Sequence, residues 1–546
     1  MITGHMQDYE FNLTKILKHA ARWHGNTEVV TDSIHNGIHR TSYKELYKRT
    51  KQLANALKRL GANEGDRIGT MAWNTWRHME CWYAIGGIGA ISHTLNPRLP
   101  EDQLDYIINH AENNILLADT SFIPKISKMI DRLKTIKTII VLADKEHMPN
   151  TQDFPVPVLC YEDLIAKESS DHDWIDLDEN SASSLCYTSG TTGKPKGVLY
   201  SHRSNMIHAF ASIGGDVLNN KASDSMLMIV PMFHANSWGL TFTGPMVGTK
   251  LVMPGPHMKG ENIYNLLTTE KCTLSAAVPT IWTGLLNYLK GKELSLPYLK
   301  EVIIGGSAVP RSMIEIFKAE YDVDVIQAWG MTETSPIGTV NRLLPYANDL
   351  DPGEKISLLA KQGRVPFGID MKIVDDEGND LPHDGVAFGR LLVKGPWIIE
   401  RYFKSDETAL DAEGWLDTGD VATINEHGVM NITDRAKDVI KSGGEWISSV
   451  DIENSAIAHP ELQIAACIGI KHGKWEERPL LVAVKQGGCN PSKKSILETI
   501  ANDHARWQIP DDIVFIDEMP LTATGKIDKK PLRAKFMNYY IDEKAG

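Results

Sequence analysis

Between Tyr187 and His202 the chain reads YTSGTTGKPKGVLYSH, a run crowded with glycine, hydroxyl side chains and two lysines, directly after the more apolar SASSLC. These residue types suit phosphate. Glycine lets the backbone bend tightly and present N–H groups, while Ser, Thr and Lys add donors for anionic oxygens. A solvated Gly- and Thr-rich turn is the other reading the residues allow. The ordinary nucleotide P-loop is excluded, because GxxxxGK[ST] needs four residues between its first glycine and its Gly-Lys, and only Thr191 and Thr192 separate Gly190 from Gly193.

Such a loop works only if stiffer elements hold it. Short β-rich runs (RIGTMAW, NILLAD, TIIVLAD, EVIIGG, DVIQAWG) alternate with helix-length amphipathic segments such as SYKELYKRTKQLANALKRLG and GENIYNLLTTE. That alternation predicts βαβ units, an α/β body with a mostly parallel sheet flanked by helices. From about Gly368 the texture changes to short strands between Gly and Asp turns, which predicts a small antiparallel or barrel-like unit. The last stretch again mixes strands (AACIGI, LLVAVK, DIVFI) with the helical KKSILETIANDHARW, a small α+β domain by size.

With 546 residues the chain exceeds one ordinary core, so several domains or subdomains are expected. Its formal charge of -13 argues against sequence-independent nucleic-acid binding, which needs a basic face, and leaves room for a local basic pocket. Cys81, Cys160, Cys186, Cys272, Cys467 and Cys489 form no CxxC pair, which fits a reducing, cytoplasmic compartment. No apolar run of spanning length and no charged-then-apolar leader is seen, so a spanning or secreted chain is not expected.

Further segments carry candidate chemistry: VPMFHANSWG (Val230 to Gly239), IIGGSAVP (Ile303 to Pro310), QAWGMTETSP (Gln327 to Pro336), GWLDTGD (Gly414 to Asp420), TDRAKDVIKSGGEWIS from Thr433, and PLTATGKIDKKPLR around Lys526. Together with YTSGTTGKPKG and in this order, they resemble the adenylate-forming superfamily of acyl-CoA synthetases, luciferases and peptide-synthetase adenylation domains. The resemblance covers essentially the whole chain. It is closest to the bacterial medium- to long-chain fatty acyl-CoA synthetase group, which also includes methylmercaptopropionate ligases; WNTWRHMECWYAIGGIGAISHTLNPRL near the N-terminus looks like that group too.

The resemblance implies a reaction and roles. ATP and Mg²⁺ activate a carboxylic acid as acyl-AMP with release of pyrophosphate, and coenzyme A then takes the acyl group. Thr188, Ser189, Gly190, Thr191, Thr192, Gly193 and Lys196 would form the phosphate loop, with Thr188 also near the metal. Gly306, Ser307, Gln327, Ala328, Trp329, Gly330, Met331 and Thr332 would line the nucleotide. Trp329 offers a flat face to a base, although many members place Tyr there, and Glu333 offers a hard oxygen to Mg²⁺. Asp420 would accept from the ribose hydroxyls, Arg435 would be the second ribose or phosphate contact, and Lys526 would be the adenylation lysine, a point charge able to reach carboxylate and α-phosphate.

The same resemblance makes His234 a pocket residue beside the acid, Trp238 the aromatic gate of an acyl tunnel, and Gly305 and Gly306 the narrow wall of that channel. Gly443, Gly444, Glu445 and Trp446 would swing in to line the pantetheine channel. A large domain, 1–436, would precede a small mobile domain, 437–546, turning on Lys437. Fatty acid, ATP and coenzyme A are the expected small-molecule partners, with a homodimer and a peripheral membrane contact also expected. The same chemistry on methylmercaptopropionate or an aromatic acid, the luciferase-type oxidation, and a non-catalytic nucleotide-binding relative are the alternatives. The last fits poorly with Thr188, Glu333, Asp420, Arg435 and Lys526 all in place.

Overall fold

The structure is a computed structural model, which describes residues 4–188, 194–443, 445–522 and 526–542. The α/β body contains two large sheets rather than one. The first has seven strands, in the spatial order Val158–Cys160, Thr138–Val141, Ile115–Ala118, Arg67–Met71, Ile91–Thr94, Ala182–Tyr187 and Gly197–Ser201. All neighbours are parallel except the last pair, an antiparallel hairpin in which Tyr187 faces Gly197. The second has eight strands, Ile337–Asn341, Asp324–Gly330, Glu301–Gly305, Leu274–Ala277, Ser225–Met228, Lys250–Met253, Glu28–Asp32 and Ile38–Ser42, parallel throughout its interior with an antiparallel strand at each edge.

The strand sequences explain this arrangement. Ile115–Ala118 and Leu274–Ala277 are buried at every position, as strands covered on both faces by helices must be. The covering helices show the complementary pattern. Tyr43–Arg59 starts at Ser42, whose side chain accepts from Glu45 N, and buries Leu46, Leu53 and Leu57 on one stripe.

The unit expected after Gly368 takes the form of a four-stranded antiparallel sheet, Asp370–Val374, Phe388–Lys394, Leu416–Ile424 and Met430–Arg435. Beyond it lies a separate small C-terminal domain. Its sheet contains Ile440–Ser442, Glu445–Ile447, Leu462–His472, Glu476–Lys485 and Asp512–Phe515, packed by the helices Ser449–Ile457, Lys493–Ala501 and Lys529–Phe536. This domain has apolar cores of its own, one around Ile440, Ile452, Leu481 and Ile496 and another around Ile468, Leu480, Val482 and Leu532. A chain segment with its own core can move as a body. No helix among the described residues is long and apolar enough to cross a membrane.

Candidate active site

In open α/β sheets ligands gather beyond the carboxyl ends of the parallel strands. Here those ends carry most of the motif residues. Thr188 follows Ala182–Tyr187, Gly306 follows Glu301–Gly305, and Glu333 lies in the short turn Thr332–Thr334 after Asp324–Gly330. His234 ends the loop that leaves Ser225–Met228. The four-stranded sheet and the C-terminal domain supply the remaining members.

Asp420 and Arg435 are direct neighbours across the antiparallel pair Leu416–Ile424 and Met430–Arg435, so their fifteen-residue separation is that of a hairpin with a tight return. Arg435 Nε lies 2.7 Å from Asp420 Oδ1, and the indole Nε1 of Trp329 donates to Asp420 Oδ2 at 2.9 Å. Asp420 is only 2% exposed. Burial pushes its carboxyl toward the neutral form, and Arg435, Trp329 and Lys526 oppose that shift.

Glu333, 7% exposed, accepts from the hydroxyl of Tyr402 at 2.9 Å, while its main-chain oxygen accepts from Ile399 N at 2.9 Å. Burial again raises the carboxyl, against Tyr402, Arg435 and Lys196. Lys196 Nζ sits over the Tyr402 ring, 4.6 Å from its centroid. Thr188 N donates to Lys196 O at 2.9 Å, closing the mouth of the hairpin that carries the Gly/Thr loop. Ser189, Gly190, Thr191, Thr192 and Gly193 lie outside the described residues. The strand before it, Ala182–Tyr187, and the edge strand after it, Gly197–Ser201, pair antiparallel, whereas a Walker loop runs from strand to helix.

Lys526 comes from the C-terminal domain into this cluster. Its ammonium is lowered to about 8, first by burial and then by Arg435, with Asp420 and Glu333 pulling the other way. Its Cε lies 3.7 Å from where a Cβ on Gly306 would stand, and Gly306 has φ +85, a left-handed conformation that a side chain would strain. Ser307 beside it is exposed. His234 is half-buried and held neutral, lowered to about 4 by loss of hydration, Lys526 and Arg98. Two cations, two anions and a neutral imidazole thus meet where both sheets open.

The turn after His234 is backbone that L-residues avoid. Ala235, Asn236, Ser237 and Trp238 all have positive φ, from 43 to 54, at roughly 1–2 kcal/mol each. Packing over-determines it: Ser237 Oγ donates to Val230 O at 2.9 Å and Asn236 Nδ2 to Asn205 Oδ1 at 3.1 Å. The turn aims Trp238 at Gly305, where a Cβ would lie 2.7 Å from Ala328 O and 3.1 Å from Trp238 Cη2. Only glycine lets the indole close against that strand end.

Other motif residues are placed differently from the sequence reading. The Gln327 side chain is engaged within the protein: its amide donates to Lys361 O at 3.0 Å and accepts from Gln362 at 3.1 Å, so at 1% exposure it braces the 359–362 loop. Trp329 is 8% exposed and packs on Gly338, where a Cβ would lie 2.2 Å from the ring; its visible work is to hold Asp420.

Gly330 is required because a Cβ there would stand 1.7 Å from Pro336 O. Met331 N donates to Thr334 Oγ1, and Thr332 O accepts from Tyr200. Gly443, φ +64, donates to Trp475 O at 2.9 Å in the turn joining Ile440–Ser442 to Glu445–Ile447; Gly444 and the side chains of Glu445 and Trp446 lie outside the described residues. Lys437 is exposed, just past Ala436 N, which donates to Gly419 O at 3.0 Å.

Sequence reasoning missed Tyr402 and Arg98. Tyr402 in ERYFKS and Arg98 in NPRLP belong to segments with no chemical pattern of their own, and their importance comes from what the fold lays beside them.

Comparison with known proteins agrees with this geometry. The family model described as AMP-binding enzyme matches residues 17–403, and that of the AMP-binding enzyme C-terminal domain matches 451–526. The chain is 47% identical over 534 residues to a 3-methylmercaptopropionyl-CoA ligase of Ruegeria lacuscaerulensis, covering 98% of each. It is 46% identical to a medium-chain-fatty-acid–CoA ligase of Ectopseudomonas oleovorans, covering 98% of this chain and 97% of that protein. The crystal structure of an anthranilate CoA ligase in complex with anthranoyl-AMP superposes with a TM-score of 0.86 at 25% identity, covering 97% of this chain and 98% of that one. The chain belongs to the AMP-binding enzyme family, the adenylate-forming superfamily whose motifs it carries, and is an acid–thiol ligase of its AMP-forming type.

Proposed function

We propose that this ligase activates a medium-chain fatty acid and passes it to coenzyme A, with Lys526, Glu333, Asp420, Arg435 and His234 as its working side chains. The observation that carries the reading is the meeting of Lys526, from the C-terminal domain, with Asp420, Glu333 and His234 at the sheet ends. In the first step a carboxylate oxygen bonds to the α-phosphorus of ATP, the bond to the bridging oxygen breaks, and pyrophosphate leaves. The nucleophile is already ionised, so no general base is needed.

The catalytic demand is positive charge between two anions. Lys526 meets it, with Arg435 beside the ribose and phosphate and Lys196 and Thr188 at the mouth of the loop. Asp420 accepts from the ribose, and neutral His234 lies against the acid without adding charge. Glu333 and Thr188 fit a hard divalent cation: the glutamate is buried, burial disfavours its charge, and Tyr402 engages its Oε1. Mg²⁺, when bound there, would spread the charge of the phosphates. In the second step the sulfur of coenzyme A bonds to the acyl carbon, AMP leaves and the thiol proton is released.

The substrate class rests on Trp238 closing on Gly305. An indole sealed against a bare strand end beside His234 makes an apolar wall, which suits an alkyl chain. The 46% identical relative is named for medium-chain fatty acids, and methylmercaptopropionate, a short thioether acid, is the second reading because the 47% identical relative is named for it. Pyrophosphate release measured with methylmercaptopropionate, benzoate and saturated acids from acetate to palmitate is the test. A maximum between hexanoate and decanoate is expected, and a maximum with methylmercaptopropionate or benzoate would transfer the assignment to that acid. Six unpaired cysteines support a reducing, cytoplasmic setting. A homodimer and a peripheral membrane contact complete the reading, with sedimentation and vesicle flotation as their measurements.

Two reactions at one carbonyl call for two placements of the C-terminal domain, since Lys526 and the turn at Gly443 cannot both serve it from one. Lys437 is suited to be the pivot. It is exposed and lies between two sets of backbone bonds to the four-stranded sheet, that of Ala436 N to Gly419 O before it and those of Asp438 N and Val439 N to Arg435 O after it. Lys437→Pro fixes φ. It is expected to leave acyl-AMP formation largely intact and slow the thioester step by at least about tenfold, roughly 1.4 kcal/mol of barrier. Single-turnover measurement of each half-reaction checks this; an unimpaired thioester step would remove Lys437 as the pivot.

A further inference from the structure

Arg435 and Asp434 are adjacent on one strand and therefore point to opposite faces. Arg435 turns to Asp420 in the site. Asp434, 1% exposed, turns to the C-terminal domain, where its Oδ2 accepts from the backbone N of Ser449 at 2.7 Å and from Ser449 Oγ at 2.5 Å. Lys529 Nζ donates to the same Ser449 Oγ and pairs with Glu453 Oε1 at 2.7 Å. Glu453 also accepts from Cys467 N at 2.7 Å. One residue earlier on the strand, Thr433 O accepts from Ser448 Oγ.

These partners divide cleanly. Ser449, Glu453, Cys467 and Lys529 all belong to the C-terminal domain, so their mutual bonds travel with it. Asp434 belongs to the four-stranded sheet, where it pairs with Val421. The contacts of Asp434 and Thr433 are thus among those, with the reach of Lys526 into the site, that a rotation about the 436–438 segment must break. Lys529 lies three residues after Lys526, so whatever seats Lys529 and Ser449 also sets the position of Lys526.

We propose that Asp434 is a positioning residue for the adenylation step: a buried carboxylate that receives the amino end of helix Ser449–Ile457 and thereby holds the C-terminal domain in the placement that delivers Lys526. It touches no substrate. Burying its charge is tolerable only while Ser449 and the nearby Lys529 satisfy it, so the contact favours one domain placement and releases when the domain turns. The inference rests on the two-placement reading above.

Asp434→Asn keeps the shape and removes the charge. Acyl-AMP formation is expected to fall by about tenfold or more, the scale of one lost charge-assisted bond, while thioester formation from supplied acyl-AMP stays within about twofold or rises. Asp434→Glu should recover part of the first step, and Ser449→Ala should reproduce the imbalance in milder form. Proportional loss of both half-reactions, or no loss, would overturn the role.

Small-angle scattering of the ligand-free protein gives a readout that does not depend on turnover. The Asp434→Asn profile is expected to broaden relative to wild type, and superimposable profiles with unchanged melting would overturn the latch. If wild type makes acyl-AMP from none of the acids, the functional reading fails, and the scattering comparison still judges the latch.

Discussion

Lys526→Ala is expected to lower acyl-AMP formation by about 10²–10³-fold, the usual range for removing a group aimed at developing charge, and to spare thioester formation from supplied acyl-AMP. The reason is geometric. Lys526 reaches the cluster of Glu333, Asp420 and Arg435 from a different domain, and in the proposed reaction its charge is needed only where carboxylate and triphosphate oppose each other. Rates of the two half-reactions, measured separately, decide the matter, and equal loss in both would assign Lys526 to general nucleotide binding instead.

The same lysine predicts a pH signature. Burial and Arg435 lower its ammonium from 10.5 to about 8, so kcat/KM for ATP should fall as pH rises through that region. For stability the sign is the reverse. A lysine whose pKa is lower in the folded than in the unfolded chain opposes folding while it is charged, and the unfolded chain holds more protons between the two values. Stability should therefore gain from this group as pH rises from about 8 toward 10.5, and Lys526→Met should erase that gain.

Asp420→Ala is expected to reduce kcat/KM for ATP by about 10²-fold or more, chiefly through KM, because both of its oxygens are engaged in a buried site and each loss leaves a partner behind. Trp329 would keep an indole N–H with no acceptor, and Arg435 would lose its counter-charge beside the equally cationic Lys526. The Arg435 side chain is 41% exposed, so water meets part of the loss and the folding cost is held to about 1–2 kcal/mol. Asp420→Asn separates the two contributions, since it keeps an acceptor for Trp329 and removes the charge. An ATP titration of Asp420→Ala with wild-type KM would exclude Asp420 from the nucleotide site.

The sequence by itself determined which chemistry was available and much of the architecture. EVIIGG and DVIQAWG are strands because their apolar, β-branched runs can be covered on both faces, and such side chains fit a pleated surface packed by helices. Asp420 and Arg435 were legible as a pair because a hairpin is a local event: the turn between them brings them opposite each other within fifteen positions. Gly443 was likewise legible as part of a turn, and it has positive φ.

What only the tertiary structure decided is which distant surfaces meet, and therefore what each side chain feels. Nothing near Lys526 in sequence reveals that Glu333 and Asp420 lie beside it, nor does ERYFKS announce that Tyr402 will hold Glu333. Gln327 and Trp329 share one motif, yet a loop arriving from residues 359–362 occupied the first and a hairpin arriving from residue 420 engaged the second. Neighbouring residues Asp434 and Arg435 were sent to different domains by the alternation of a single strand. The physical reason is the range of the forces. Backbone preference acts over a few residues and can be read along the chain, whereas burial, charge pairing and the pKa shifts they produce depend on the atoms packed around a group, and packing is settled only when the whole fold closes.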